Sequence, residues 1–409
     1  MAYRSLYKSD HLTDRERKNI ILLDVIRRNG PIAKTDISRI TQFNIVTVSN
    51  YVEHYIDQKL VVEKGLDISS GGRRPELVEL NADWGSIIGV EIGPTQIIGI
   101  ISNLSPSITH KVKVARPAGH MEVVISEAVK LVRRILQESK VPMEKVRGIG
   151  LGVSGVIDRS AGTIRDTDPR RGKTVGSFAT AKGILEKEFR IPVSVGNDAS
   201  LAALAEKKLS LRIDDENVLY FYSDVGGGII ANNDLFWGSS WSAGEIQLNL
   251  ENIEGLSLES WVEKTDFFRS EGLDMGLARR AQEAVKKDGK SKILEMVTGK
   301  DPEKIDAGHV FEAAKKGDGT AVALVEEAAT RLGLKVAYLT NFFNPEVVVL
   351  GGGMERGGEL VLNTVRRVVK QLAMEEASGV VKIILSRLGE DAVAYGAVCL
   401  VTQELFSEV

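Results

Sequence analysis

Residues 30–64 read GPIAKTDISRITQFNIVTVSNYVEHYIDQKLVVEK, and two short helices within them decide how the first part of the chain folds. Ile37 and Ile40 give a helix over Thr35 to Ile40 a single inner face, and Thr41-Gln42-Phe43 makes the turn that ends it. Asn44 suits the N-cap of the next helix, because its side-chain oxygen can accept a backbone N–H from the first turn. Val48, Val52, Tyr55 and Ile56 recur at helical spacing and form that helix's inner face. Upstream, from Thr13, the spacing of Ile20, Leu23 and Ile26, with Leu22 and Val25 beside them, predicts a first helix that stops at Asn29-Gly30-Pro31.

Two short helices joined by a tight turn form the layout of a helix-turn-helix, with the second as recognition helix. Its early positions Asn44, Ile45, Val46, Thr47 and Asn50 would then face the major groove, where Asn pairs with adenine and apolar groups touch thymine methyls. A plain three-helix bundle satisfies the same periodicity. Leu60 to Lys64 and Glu76 to Leu80 read as two short strands, the hairpin wing of a winged helix. Between them lies SSGGRRP, in which Arg73 and Arg74 suit a narrow, electronegative minor groove; the same loop also fits a solvated linker.

At 409 residues, with 43% apolar and 27% charged side chains, the chain has the composition of a globular protein of two or three folding units. The first twenty residues are too charged for a secretory signal, and no apolar run approaches the length of a membrane span. The expected compartment is therefore the cytoplasm, with no membrane partner. Cys399 is the sole cysteine, which excludes an intrachain disulfide and a cysteine-cluster zinc site. The five histidines show no metal-ligand spacing. Residues 1–80 carry 13 basic against 11 acidic side chains in a chain of net charge −3, too weak an asymmetry to argue for nucleic acid alone.

From Arg17 through Gly93, the segments GPIAKTDISRIT, TVSNYVEHYIDQKLV, SSGGRRPELVELN and GVEIG, in this order, resemble the head and first body strand of ROK-family regulators of the N-acetylglucosamine and xylose repressor type. The resemblance implies an α/β fold: an N-terminal winged helix-turn-helix over residues 1–82, then a two-lobed actin/hexokinase-like (ribonuclease H-like) body with lobes at 83–200 and 201–409. The C-terminal helix AVAYGAVCLVTQELF is expected to return to the first lobe. In sugar kinases of the family the first hairpin turn holds Mg²⁺ and ATP phosphates. Here it carries Glu91, Gly93 and Thr95, with Pro94 in place of a second glycine, so one backbone donor is lost. A second phosphate turn, Ser223 to Gly228, gains Asp224, whose charge would oppose a polyphosphate; its glycines equally suit a simple tight turn. Val347 to Gly353 matches the adenosine-side loop, although any doubly wound lobe uses such a strand and glycine turn.

The sugar side matches the family better. GLGVSGVID (150–158) and PVSVGNDASLAALAE (192–206) carry over Asn197 and Asp198, the latter at the place of the kinases' catalytic base; the pair also suits the cap of the helix that follows. SAGEI (242–246) carries over Glu245, and Glu259 matches a second sugar-facing Glu. The family's zinc motif is missing, because Gln247 to Leu250 and the residues after it supply neither His nor Cys. At Asp168 to Gly172 two arginines replace the family's usual turn, fit for an anionic sugar or for solvent. The expectation is a sequence-specific regulator, a repressor, with double-stranded operator DNA and a sugar-like effector as partners, acting as a homodimer or tetramer. It would have no catalytic residue, no metal and no cofactor. The competing readings are an active ATP-dependent sugar kinase with an appended DNA-binding head, and a DNA-binding scaffold that needs no ligand.

Overall fold

Thr13 opens the first helix through a reciprocal cap: its hydroxyl accepts the Glu16 N–H at 3.3 Å and the Glu16 carboxylate accepts the Thr13 N–H at 2.5 Å. A computed structural model describes residues 12–66, 76–158, 163–165, 178–246, 272–288 and 291–409. Helix α1 (Asp14–Asn29) ends at Gly30, and β1 (Ile32–Ala33), α2 (Lys34–Thr41) and α3 (Ile45–Asp57) follow. Gln42, left-handed at φ 59°, turns the chain out of α2. Strands β2 (Val61–Leu66) and β3 (Glu76–Leu80) pair antiparallel with Val61 opposite Leu80, and β1 adds to β3 with Ile32 opposite Val78. The periodicity gave no sign of β1, since two residues carry no pattern.

The chain then runs through β4 (Ser86–Ile92), β5 (Gln96–Asn103), β6 (Ile108–Ala115), α4 (Met121–Ser139) and β7 (Val146–Val153). Three short strands follow, β8 (Val156–Asp158), β9 (Thr163–Arg165) and β10 (Phe178–Thr180), then α5 (Ala181–Phe189), β11 (Val193–Asn197) and α6 (Asp198–Leu209). Beyond these lie β12 (Val218–Tyr222), β13 (Gly226–Ala231), β14 (Asp234–Leu235), α7 (Leu277–Asp288), α8 (Ala307–Lys315) and α9 (Gly319–Phe343). The last elements are β15 (Val347–Gly351), α10 (Gly358–Leu372), α11 (Glu375–Val380), β16 (Lys382–Leu385) and α12 (Ala392–Glu408). No described helix is long and apolar enough to cross a membrane.

Two compact units emerge. The first takes the described residues up to Asp214 with Ala231–Trp241 and Asp391–Val409; the second takes Asp215–Ile230 and the described part of Ser242–Glu390. Position 200, the expected lobe boundary, lies inside α6, one unbroken helix of the first unit, so the chain leaves that unit only after Asp214.

In the first unit a sheet of order β11-β7-β4-β5-β6 pairs β4, β5 and β6 antiparallel and β4, β7 and β11 parallel. Alternation along the strands sorts its faces. Ile88, Val90 and Leu151 pack with Val124, Leu131 and Val132 of α4 and Leu185 of α5. Ile87, Ile98 and Ile100 turn the other way and join Val398 and Val401 of α12, so the C-terminal helix packs on the first lobe. Its approach is close: a Cβ on Gly150 would sit 2.2 Å from the Ala397 carbonyl oxygen.

The same core continues into Ile20, Leu23, Ile26, Val48, Val52 and Tyr55 of the first three helices. Helix α1 is therefore buried around its circumference from Asn19 to Ile26, wider than the single stripe expected of it. In the second unit β13-β12-β15-β16 lie in that order, β12 antiparallel to β13 and parallel to β15, and α7, α8, α9 and α10 contribute to one core with β12 and β15.

Candidate functional site

At the start of α3, Asn44 accepts the backbone N–H groups of Val46 and Thr47 at 2.8 and 3.1 Å. Its side-chain oxygen is thus spent on the cap, whereas Asn50 further along the helix is exposed. Val48, Val52 and Tyr55 anchor the helix from beneath. On its outer side Ile45 and Val46 stand 43% and 63% exposed, and Thr47 is half-buried beside them. Exposed β-branched residues at a helix start have no packing reason. Arg73 and Arg74, between β2 and β3, lie outside the described residues.

Asn197 and Asp198 sit where β11 passes into α6. The Asn197 side-chain oxygen accepts the Ser200 N–H at 3.2 Å and its amide donates to the Gly155 carbonyl at 3.4 Å, so it caps the helix and ties it to the turn after β7. Asp198 is buried and its carboxylate accepts the Ala199 N–H at 2.8 Å. Glu245 belongs to the second unit and is exposed, on a turn pinned by the Gly227 N–H to the Gly244 carbonyl at 2.8 Å. At that turn a Cβ on Gly244 would lie 1.8 Å from the Gly227 oxygen, so no other residue fits. Glu259 and the segment 168–172 lie outside the described residues.

Both candidate phosphate turns are occupied by the protein's own groups. At the first, the Gly93 N–H donates to the Gln96 carbonyl at 2.9 Å and Arg116 donates to the Gly93 carbonyl at 3.0 Å. At the second, Asp224 is 3% exposed and bonded to the ammonium of Lys335, 5% exposed, from α9. Sequence reading saw Asp224 as an open negative charge. It missed the lysine, which stands 111 residues away and looks like any helical lysine.

Sequence reading missed a second buried cluster as well. Near the end of α1, Asp24 contacts Arg27 at 2.7 Å, Arg28 at 3.3 Å and Lys208 of α6 at 3.5 Å. Burial alone would raise the Asp24 pKa, but Lys208, Arg27 and Arg28 hold its carboxyl well below the usual carboxylate range. Both arginines also donate to backbone carbonyls at the end of α6: Arg27 to Lys208 at 3.0 Å, Arg28 to Lys207 at 2.7 Å and to Leu211 at 3.2 Å. The spacing Asp24, Arg27, Arg28 was legible as a helical ion-pair pattern; its partner in α6 was not.

Known proteins resemble this chain over nearly its whole length. A xylose repressor of Caldicellulosiruptor bescii is 29% identical over 403 residues, which covers 97% of this chain and 98% of the repressor. A glucokinase of Halalkalibacterium halodurans is 29% identical over 328 residues, 78% of this chain and 95% of the enzyme. In three dimensions the chain matches the crystal structure of a ROK family transcriptional regulator, a homologue of the Escherichia coli MLC protein, with a TM-score of 0.72 at 19% identity over 96% of this chain and 97% of that one. The ROK family's sequence pattern itself matches residues 87–251 and 281–404, from the first body strand to the C-terminal helix. On that match, which takes in most of the chain and both of its units, the protein belongs to the ROK family.

Proposed function

We propose that this protein is a transcriptional repressor that binds operator DNA through a winged helix-turn-helix at residues 1–82 and binds a sugar-like effector in a body that does not phosphorylate it. The observation that carries the reading is the outer face of α3, where Ile45, Val46 and Asn50 stand exposed on a helix anchored by Val48, Val52 and Tyr55. That face suits thymine methyls and adenine edges, and Arg73 and Arg74 on the β2–β3 connection suit the adjacent minor groove. The name of the xylose repressor, matched along both whole chains, supports the same role. The protein would act in the cytoplasm as a homodimer or tetramer, since a palindromic operator mirrors a two-fold assembly.

The effector would meet Asn197, Asp198, Glu245 and Glu259, and D-xylose is the first sugar to try. The glucokinase match favours the kinase reading, but at the first turn Pro94 has no N–H and the Gly93 N–H is already bonded to the Gln96 carbonyl, so a nucleotide's phosphates would lack both backbone donors. The decisive experiment selects genomic fragments on the full chain and sequences them. Affinity for a selected fragment should fall steeply with salt and by roughly 5- to 150-fold in Asn50→Ala, the loss of about 1–3 kcal/mol of base contact. Uniform binding to all fragments, with and without D-xylose, would refute the assignment. ATP turnover with sugars that vanishes in Asp198→Asn would establish the kinase instead.

A further inference from the structure

The two ends of α6 do different things. Its first turn carries Asn197 and Asp198, the residues expected to meet a sugar, and its last carbonyls are gripped by two arginines of α1. We propose that α6 is the lever by which occupancy at Asn197 and Asp198 reaches the DNA-reading helices, with Arg27 and Arg28 as the hand that holds it. The inference rests on the repressor reading for its purpose, and on geometry alone for its existence.

Twelve residues make α6 about 18 Å long, a span that a helix crosses without bending when its flank is supported. The support is α12: a Cβ on Gly396 would lie 2.0 Å from the Leu201 carbonyl oxygen, so the two helices touch backbone to backbone. A displacement at the Asn197 cap therefore reappears at the far end rather than dissipating. There the last carbonyls of a helix carry partial negative charge and lack helical partners. Arg28 bonds one of them, that of Lys207, and the Leu211 carbonyl just beyond the helix, with separate nitrogens of one planar guanidinium, which fixes orientation as well as distance. Asp24, bonded to both arginines and to Lys208, aims the forks and balances their charge.

From α1 the path reaches α3 directly. Asn19 accepts the hydroxyl hydrogen of Tyr55 at 2.9 Å, and Ile20, Leu23 and Ile26 share a core with Val48 and Val52. A sugar moves this lever only if it binds two positions of α6 with different affinity. A competing route exists along the covalent connection, where Arg147 donates to the Trp84 carbonyl at 2.9 Å.

The test follows amide hydrogen exchange across the full chain and needs no DNA. The perturbation is Asp198→Ala, and separately saturating D-xylose, each in the wild-type and Arg28→Met backgrounds. In the wild-type background Asp198→Ala should change exchange at least threefold both in residues 205–211 and in the α1 end, residues 24–30. With Arg28→Met the response should stop at residues 205–211. Should Arg28→Met lose its circular dichroism signature, Arg28→Lys replaces it, since it keeps the charge beside Asp24 but not the two-armed grip. An α1 that is silent in the wild-type background, or that responds equally without Arg28, overturns the proposal, and in the latter case the Trp84 connection carries the signal. A chain that selects no DNA yet shows the Arg28-dependent response would sink the repressor reading while leaving the lever intact.

Discussion

Asp24 and Asp224 are both carboxylates withdrawn from solvent and bonded to withdrawn cations, but their surroundings differ. Asp224 is bonded to the ammonium of Lys335, inside one unit. Asp24 lies among Arg27, Arg28 and Lys208, and two of these cations have a second employment on the carbonyls of α6. The first arrangement closes a turn. The second joins two segments of chain, and its excess of positive charge is satisfied by helix-end carbonyls, which are acceptors without being anions. Removal of the ammonium beside Asp224 should thus be felt sharply, whereas the cluster around Asp24, with three cations, should degrade gradually.

Lys335→Met is the sharpest way to break that contrast. It takes the ammonium from a buried carboxylate and should cost roughly 3–5 kcal/mol, read as a lowered urea midpoint; Lys335→Met with Asp224→Leu should recover most of it. If the single variant is as stable as the parent, Asp224 is not held by Lys335 in solution. Asp24→Asn should cost less, about 1–3 kcal/mol, because Arg27 and Arg28 keep their carbonyl acceptors.

This second cost should depend on pH. The folded Asp24 pKa lies below its unfolded value of about 3.9, so its stabilisation is complete above that value and is lost as pH falls through the folded pKa. The gap between wild type and Asp24→Asn should therefore narrow on acidification below about pH 4. A gap that widens instead would mean the cations do not favour the ionised form.

The smallest effect concerns Cys399, which lines a small cavity with Asp24, Arg27 and Lys208. Burial pushes its thiol up to about 11, so at pH 8 on the order of one molecule in a thousand is thiolate. Iodoacetamide should leave the native protein almost untouched and should react faster with Arg27→Met, which loosens the wall of that cavity. Equal rates in the two would show that the arginine does not keep this junction shut.

What the sequence disclosed and what it hid divide along the same line. Asn44, Val48, Val52 and Tyr55 were legible because capping and helical spacing are decided within a few residues. The return of the C-terminal helix was legible from its small residues and the family pattern. The full burial of α1 was not, since its second partner α12 lies at the other end of the chain. Nor were the partnerships of Asp24 with Lys208 and of Asp224 with Lys335, because an isolated lysine in a helix carries no mark of the carboxylate it will meet 184 or 111 residues away. Asn197 was read as either a cap or a sugar contact; the cap is present, beside Asp198, and the sugar contact belongs to the proposed function.

The shared core of α1 and α12 also bears on how the protein is made. Asn19 donates to the carbonyl of Val409, 390 residues further along, and Ile20 to Ile26 are covered in part by Val398, Val401 and Phe406. At about 5–20 residues per second a ribosome takes roughly 20–80 s to supply that cover. Until then the first three helices have been synthesised but one flank of their core faces water. A nascent or prematurely terminated chain that lacks α12 thus carries α1 and α3 on an unfinished support, with Ile20, Leu23 and Val52 short of part of their core.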